Sequence, residues 1–479
     1  MLYNVIIVTV KRNIVTMTSW IPALAPDKPR YVAIADAIAA DLTHGKLKAG
    51  DRLPPQRELA WRLGVTIGTI TRAYQEAAKR GFLSGEVGRG SYLRDPRPNY
   101  AAAQSIANGA EAGILDMQMS APPRAVGLAQ VEEGLAAITR EPNWIELFDY
   151  PPAQGFARHR EAATHWLAKC GIDIAPDQVV LSAGAQAALI SCLSTATTPG
   201  ERILIEPLTY PTMQPLCRQF GLQTRPLESD AEGITPDSLE YHAKRGEARV
   251  VYVVPTLQNP TTATLSLERR QAIAEIARRY DLTLIEDDVF RLLADDPPPP
   301  IRNFAPERTY YITSLSKTTA PGLRLAFLAP PPGATEALNR QQMIIGGRPN
   351  GLSAELGSRW IMDGSAERTL ANIRAELHAR RDIALEHLRG LKVDCRPGAM
   401  FAWITLPNYW RPTDFVAAAL AAGIKVTPGT VFVTEASVQQ NAIRACFGPA
   451  PSRELVREAF EKLRVLIDKC PVDDCHTMA

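Results

Sequence analysis

Apolar and polar positions follow two different rhythms along this chain. From about residue 113 to 467, short apolar runs alternate with amphipathic stretches. "QVVLS" (178–182), "RILIE" (202–206), "ARVVYVVP" (248–255), "LTLIEDD" (282–288) and "YYITS" (310–314) have strand length and β-branched content. Between them lie helical patterns such as "SLERRQAIAEIARRYD" (266–281). Val/Ile/Leu-rich strands separated by helices predict an α/β unit, a mainly parallel sheet with helices on both faces.

Residues 28 to about 94 read differently. Leu59, Ala60 and Leu63 place an apolar stripe on one short helix, which Gly64 stops. Thr66 can cap a second helix, on which Ile70, Ala73, Tyr74 and Ala77 recur at helical spacing. "EVGRGSY" (86–92) follows as a β-hairpin. Two short helices joined by a tight Gly turn predict a helix-turn-helix, here mostly α with a β wing. Its second helix would present Thr66, Gly68, Thr69, Thr71 and Arg72 to a major groove, with Arg89 on the wing. Residues 95–112, "DPRPNYAAAQSIANGAEA", lack apolar periodicity and read as a linker. Residues 468–479 read as a tail.

Composition adds one asymmetry. The 479 residues carry a net charge of only +2. Residues 28–97 hold 13 Lys and Arg against 7 Asp and Glu, a net of +6 that leaves −4 on the remainder. A basic module on a mildly acidic body fits a nucleic-acid partner for the module alone. The seven cysteines form no CxxC pair. They read as reduced core residues in a cytoplasmic protein, with no disulfide framework and no metal site. No apolar run approaches ~20 residues, so no membrane span is expected. The opening "MLYNVIIVTVKRNIVTM" (1–17) lacks a basic n-region and a small-residue cleavage site. No signal peptide is expected there. Met17 is a candidate true start, and residues 1–27 carry no assigned structure.

Candidate chemistry gathers at strand ends. Gly184 lies in "LSAGAQAAL", Tyr210 in "EPLTYP", Asn259 in "PTLQNPTT", Asp287 in "LIEDDVF" and Lys317 in "SLSKTTAPGLRLAF". Ligands of open α/β sheets bind at the carboxyl ends of strands. Pyridoxal 5'-phosphate would join these residues. Its aldehyde needs a lysine for a Schiff base, Lys317. Its phosphate needs N–H groups, hydroxyls and an arginine: Gly184, Ala185, Gln186, Ser314, Ser316 and Arg324, the last turned back by Pro321-Gly322. The pyridine nitrogen needs a carboxylate, Asp287. Asn259 would donate to the phenolic oxygen, and Tyr210 would stack on the ring.

These motifs carry two resemblances. Residues 28–94 are similar to the GntR-type winged helix, through "YVAIADAIAADLTHGKLKAGDRLPPQRELAWRLGV", the T…T…AY helix and the "GRG" wing. That resemblance implies binding to operator DNA as a dimer, with Arg57 on phosphate and Thr66, Thr69 and Arg89 at contact positions. Members often carry arginine just after the cap residue. Here Ile67 stands there and removes a donor from the groove-facing end. Residues 113–467 resemble a fold-type I aminotransferase, through the strand-end motifs together with "YPPAQGFARHR", "PGAMFAWITLP" and "NAIRACFG". This implies Arg444 as the clamp for a substrate carboxylate. It also implies Tyr150 reaching the neighbouring subunit's phosphate in a homodimer with shared sites. The family usually supplies a tyrosine after the "EDD" strand, where this chain has Val289 and Phe290.

Together the halves resemble the MocR subfamily of bacterial transcription regulators. The implied function is a DNA-binding regulator whose cofactor-bearing domain senses an amino compound or pyridoxal phosphate itself. The alternative is an aminotransferase that turns over an amino acid/2-oxo acid pair. A large domain serving only as a dimerisation scaffold is the third reading.

Overall fold

The computed structural model describes residues 20–22, 24, 28–43, 46–47, 51–80, 82–86, 90–93, 114–152, 154–435 and 440–469. The expected linker, wing residue Arg89, residues 1–19 and residues 470–479 lie outside the described residues. The chain divides into two compact units, Met1–Asn108 and Gly109–Ala479.

The first unit packs helices α1 (Arg30–Thr43), α2 (Gln56–Leu63) and α3 (Ile67–Lys79) beside a hairpin of β1 (Leu83–Glu86) and β2 (Gly90–Leu93). Gly64 ends α2 in the left-handed conformation, φ 61°, a position that suits a residue without Cβ. Two residues later Thr66 accepts the Thr69 N–H at 3.2 Å and caps α3. Leu59, Ala60, Ile70, Ala73, Tyr74 and Ala77 are buried against Ile34, Ala35 and Ile38 of α1. The Tyr74 hydroxyl donates to the Pro54 carbonyl at 2.9 Å and pins α3 to the chain entering α2.

The second unit is built on a seven-stranded sheet. Its strands are β3 (Val180–Ser182), β4 (Arg202–Ile205), β5 (Gln223–Pro226), β6 (Val250–Val253), β7 (Thr283–Asp287), β8 (Thr309–Ser314) and β9 (Ala326–Ala329), in the order β3-β9-β8-β7-β6-β4-β5. Every pairing is parallel except those of β9. Only residues 315–325 connect β8 to β9, without a crossover helix, so β9 returns antiparallel. Alternate residues feed opposite faces. Ile203, Ile205, Val250, Tyr252, Ile285 and Ile312 enter one core, while Leu204, Val251, Val253 and Leu284 enter another. Both faces are therefore covered, α5 (Leu267–Arg279) on one and α4 (Ala185–Ala196) on the other. A smaller sheet of β10 (Val393–Asp394), β11 (Phe401–Thr405), β12 (Thr427–Pro428) and β13 (Ala442–Cys446) has the order β10-β11-β13-β12. Among the described residues five cysteines are free and buried. No described helix is long and apolar enough to cross a membrane.

Candidate functional site

The parallel strands deliver their carboxyl ends to one rim. Gly184 follows β3, Tyr210 follows β4, Asn259 follows β6, Asp287 ends β7 and Lys317 follows β8. Because β9 runs the other way, its start lies at the same rim, and Arg324 stands two residues before it. The charges of Asp287, Arg324 and Arg444 all act on Lys317 and all act on Tyr210. The structure thus brings these residues into one locus.

Strand alternation separates the three neighbouring carboxylates. Glu286 points to one face and accepts the N–H groups of Ile301 at 2.8 Å and Arg302 at 2.9 Å. Asp288 lies near Arg291 and Tyr311. Asp287 accepts the Tyr252 hydroxyl on Oδ2 at 2.9 Å, while its Oδ1 is buried and without a partner. Burial pushes the Asp287 carboxyl up to about 6, opposed by the Tyr252 hydrogen bond.

Lys317 sits in a tight turn in which Thr319 and Ala320 donate back to the Leu315 carbonyl. Its ammonium donates to the Ser120 carbonyl and lies 5.8 Å from the Phe290 ring centroid. Phe290, not Val289, is therefore the side chain that faces the lysine where the family's tyrosine is expected. Burial lowers the Lys317 amine to about 8.

The Ser314 and Ser316 hydroxyls are buried and find no hydrogen-bond partner among the described residues. Beside them Arg324 adopts φ 47° after the turn Pro321–Leu323. A Cβ on Gly184 would stand 2.5 Å from the Arg324 guanidinium. Gly184 caps α4 at φ 92° with no side-chain hydrogen bond, so the first-turn N–H groups at Ala185 and Gln186 face the rim. Two hydroxyls, an arginine and a helix N-terminus are groups that could hold a phosphate, and the buried Asp287 oxygen suits a protonated ring nitrogen. The residues present fit pyridoxal phosphate.

Arg444, on β13, donates to Asn259 Oδ1 at 2.6 Å and to the Gln118 carbonyl at 2.6 Å. With its oxygen taken, the Asn259 amide has its NH₂ left to donate. The Arg444 guanidinium lies 4.7 Å from the Phe432 ring centroid and 5.5 Å from that of Phe401, and its Nε has no partner. Tyr150 is fully exposed.

Sequence reasoning did not single out Ser120, Gln118 or Tyr252. The first two act through backbone carbonyls, which no side-chain pattern reveals. Tyr252 lies inside an apolar strand and reads as core. Its polar end could have been flagged, because a buried tyrosine needs a partner.

In the first unit, Arg57 is exposed at the first turn of α2, while Thr66, Thr69, Thr71 and Arg72 lie on the first turns of α3. Thr71 donates to Gln56 Oε1 at 2.7 Å, and the Arg72 guanidinium stacks 4.2 Å over the Tyr31 ring.

Comparison with known proteins matches residues 113–463 to the aminotransferase class I and II family. Residues 30–93 match the gntR family of bacterial regulatory proteins. The chain is similar to the HTH-type transcriptional regulator YdeF of Bacillus subtilis, 29% identical over 452 residues, covering 94% of this chain and 97% of that one. It is also similar to the HTH-type pyridoxine biosynthesis transcriptional regulator PdxR of Corynebacterium glutamicum, 27% identical over 85% of this chain and 89% of that one. Among solved structures, a Pyrococcus horikoshii kynurenine aminotransferase in complex with PMP matches with a TM-score of 0.70 at 24% identity, over 82% of this chain and 98% of that chain. That likeness shows the fold.

Proposed function

Because this chain belongs to the aminotransferase class I and II family and carries a gntR-type helix-turn-helix head, we propose that it is a DNA-binding transcriptional regulator sensing an amino compound, or pyridoxal phosphate itself, through its large domain. Pyridoxal phosphate, when bound, supplies an amine-reactive aldehyde and an electron-withdrawing ring. The observation that carries the reading is the set of orphaned buried groups around Lys317: Asp287 Oδ1, Ser314 Oγ and Ser316 Oγ. Burying such groups without partners is costly, and a bound molecule would offset that cost.

Lys317 would hold the aldehyde, and Asp287, positioned by Tyr252, would keep the ring nitrogen protonated. Ser314, Ser316, Arg324 and the N-terminus of α4 would hold the phosphate, Tyr210 would cover the ring, and Asn259 would donate to its phenolic oxygen. Arg444 would take a carboxylate, exchanging its contacts with Asn259 and Gln118 for the ligand, so the favoured effector is an amino acid. Such an effector would compete with Lys317 for the cofactor. It switches transcription only insofar as it binds two states of the protein unequally. The relative named for pyridoxine biosynthesis supports the cofactor itself as a second effector.

A homodimer fits the exposure of Tyr150 together with Ile145, Phe148, Met343 and Ile344. A partner's cradle would give Tyr150 its role. Operator binding sets the protein in the cytoplasm.

The lowered Lys317 amine favours one other reading, transamination of an amino acid/2-oxo acid pair, since such an amine can carry protons near neutral pH. Phe290 in place of tyrosine weighs against fast turnover. The full chain should purify with a visible absorption band that Lys317→Ala abolishes, and amino acids that perturb the band should alter DNA binding. Persistence of a covalently linked band in Lys317→Ala would refute the assignment. Rapid multiple turnover would replace the sensor with the enzyme.

A further inference from the structure

The threonine side chains at the leading end of α3 are engaged within the head. Thr66 Oγ1 accepts the Thr69 N–H and lies 2.9 Å from Thr69 Oγ1. Thr71 donates to Gln56 of α2 and to the Ile67 carbonyl at 3.0 Å. Arg72 is stacked on Tyr31 of α1. These contacts brace α3 against α1 and α2 and engage the threonine hydroxyls near its tip, while the exposed Arg72 guanidinium, further along the helix, keeps its N–H donors.

Ile67 is the exception in the opposite sense. It is the first residue of α3 and is 48% exposed, whereas Ile70, one turn on, is fully buried. Its neighbour Gly68 opens onto empty space, with nothing nearer to an added Cβ than Thr66 Oγ1 at 3.8 Å. The tip of the helix is therefore an apolar side chain beside bare backbone, which allows close approach to a surface.

We propose that Ile67 determines sequence specificity by packing on the C5 methyl group of a thymine in the major groove. This rests on α3 being the groove-entering helix of the head. The chemistry then leaves one base. Guanine, adenine and cytosine present donors and acceptors on their major-groove edges, and only thymine adds a methyl group. Isoleucine pressed on a polar edge leaves that edge desolvated and unpaired. Isoleucine on a thymine methyl buries apolar surface on both sides. The inference also gives the missing arginine a consequence: preference moves from a hydrogen-bonded base to a methylated one.

The test uses the full chain. Duplexes are selected from a randomised pool, and each dT of the selected site is replaced singly by dU, which removes only the methyl group. At one position dU should weaken binding about fourfold, the worth of one buried methyl-sized group. Ile67→Ala should bind the dT duplex more weakly by a similar factor and show no difference between dT and dU there. Ile67→Val should retain part of the difference, and circular dichroism of both variants should match the parent, since Ile67 is not in the core. A dU scan without effect at any position overturns the inference, as does an Ile67→Ala variant that still discriminates dT from dU. Failure of the full chain to select any sequence overturns it together with the assignment of α3 to the groove.

Discussion

Arg324 fills the space that a side chain on Gly184 would need. A Cβ built on Gly184 would lie 2.5 Å from one guanidinium nitrogen and 2.7 Å from its central carbon. Both residues hold positive φ, 92° for Gly184 and 47° for Arg324. The pair joins two strands at one rim. β3 ends just before Gly184 and β9 begins just after Arg324, so the arginine can lie across the N-terminus of α4 only because the glycine has no side chain.

Gly184→Ala should therefore strike the phosphate cradle first. The backbone at φ 92°, ψ 164° is a region that L-residues with a Cβ enter at a cost of about 1–3 kcal/mol. The new carbon also expels the guanidinium. Cofactor affinity should fall on the order of tenfold or more, read by titrating pyridoxal phosphate against the visible band. Unchanged affinity would show that Arg324 does not hold the phosphate.

Lys317 should cost the cofactor-free protein stability. Its amine falls from an ordinary value of 10.5 to about 8 because it is buried. The folded state thus binds fewer protons than the unfolded chain between those values, and parent stability should rise with pH across that window. Below pH 8 the penalty is complete, about 3 kcal/mol. Lys317→Met should be more stable than the parent at pH 7, with the advantage shrinking from pH 8 upward and gone above 10.5. Urea denaturation of both cofactor-free proteins at pH 7 and 9.5 measures this. Equal stability at pH 7 would contradict it.

Phe290→Tyr should restore a donor at the cofactor's phenolic oxygen. The Phe290 ring faces Lys317 and packs edge-on to Phe401, with centroids 6.0 Å apart. A hydroxyl donating to an anionic oxygen is worth about 1.5–3 kcal/mol. The pH at which the visible band titrates should move down by on the order of one unit or more. A midpoint that stays in place would mean the ring's para position points elsewhere.

Much of this could be read along the chain because parallel strands carry a simple rule. "VVYVV" is apolar throughout and "LTLI" runs apolar up to the carboxylates of Glu286 and Asp287, so the strand ends are visible, and the residues at or just beyond them must share a rim. The antiparallel β9 follows from the short stretch between Ser314 and Ala326, which leaves no room for a crossover helix. The contacts of Ser120 and Gln118 were not legible, since carbonyl oxygens are common to every residue and only the path of the chain brings these two to Lys317 and Arg444. Thr71 and Arg72 show the converse limit. Their residue types suit a groove-facing helix, yet Gln56 and Tyr31 lie close enough to engage them, and sequence spacing alone carries no information about those neighbours.

Arg57 and Arg62 sit five residues apart on α2 and should behave differently on DNA. Arg57 is exposed and makes no ion pair among the described residues, whereas Arg62 is paired with Glu58. A free guanidinium against phosphate releases about one counterion. Arg57→Ala should weaken binding to selected and unrelated duplexes alike and reduce the slope of log affinity against log salt by about one. Arg62→Ala, whose charge is already compensated, should change that slope less. Fluorescence anisotropy across a salt series separates the two. If Arg57→Ala leaves the slope unchanged, the start of α2 does not lie on the backbone, and α3 would have to enter the groove from another side.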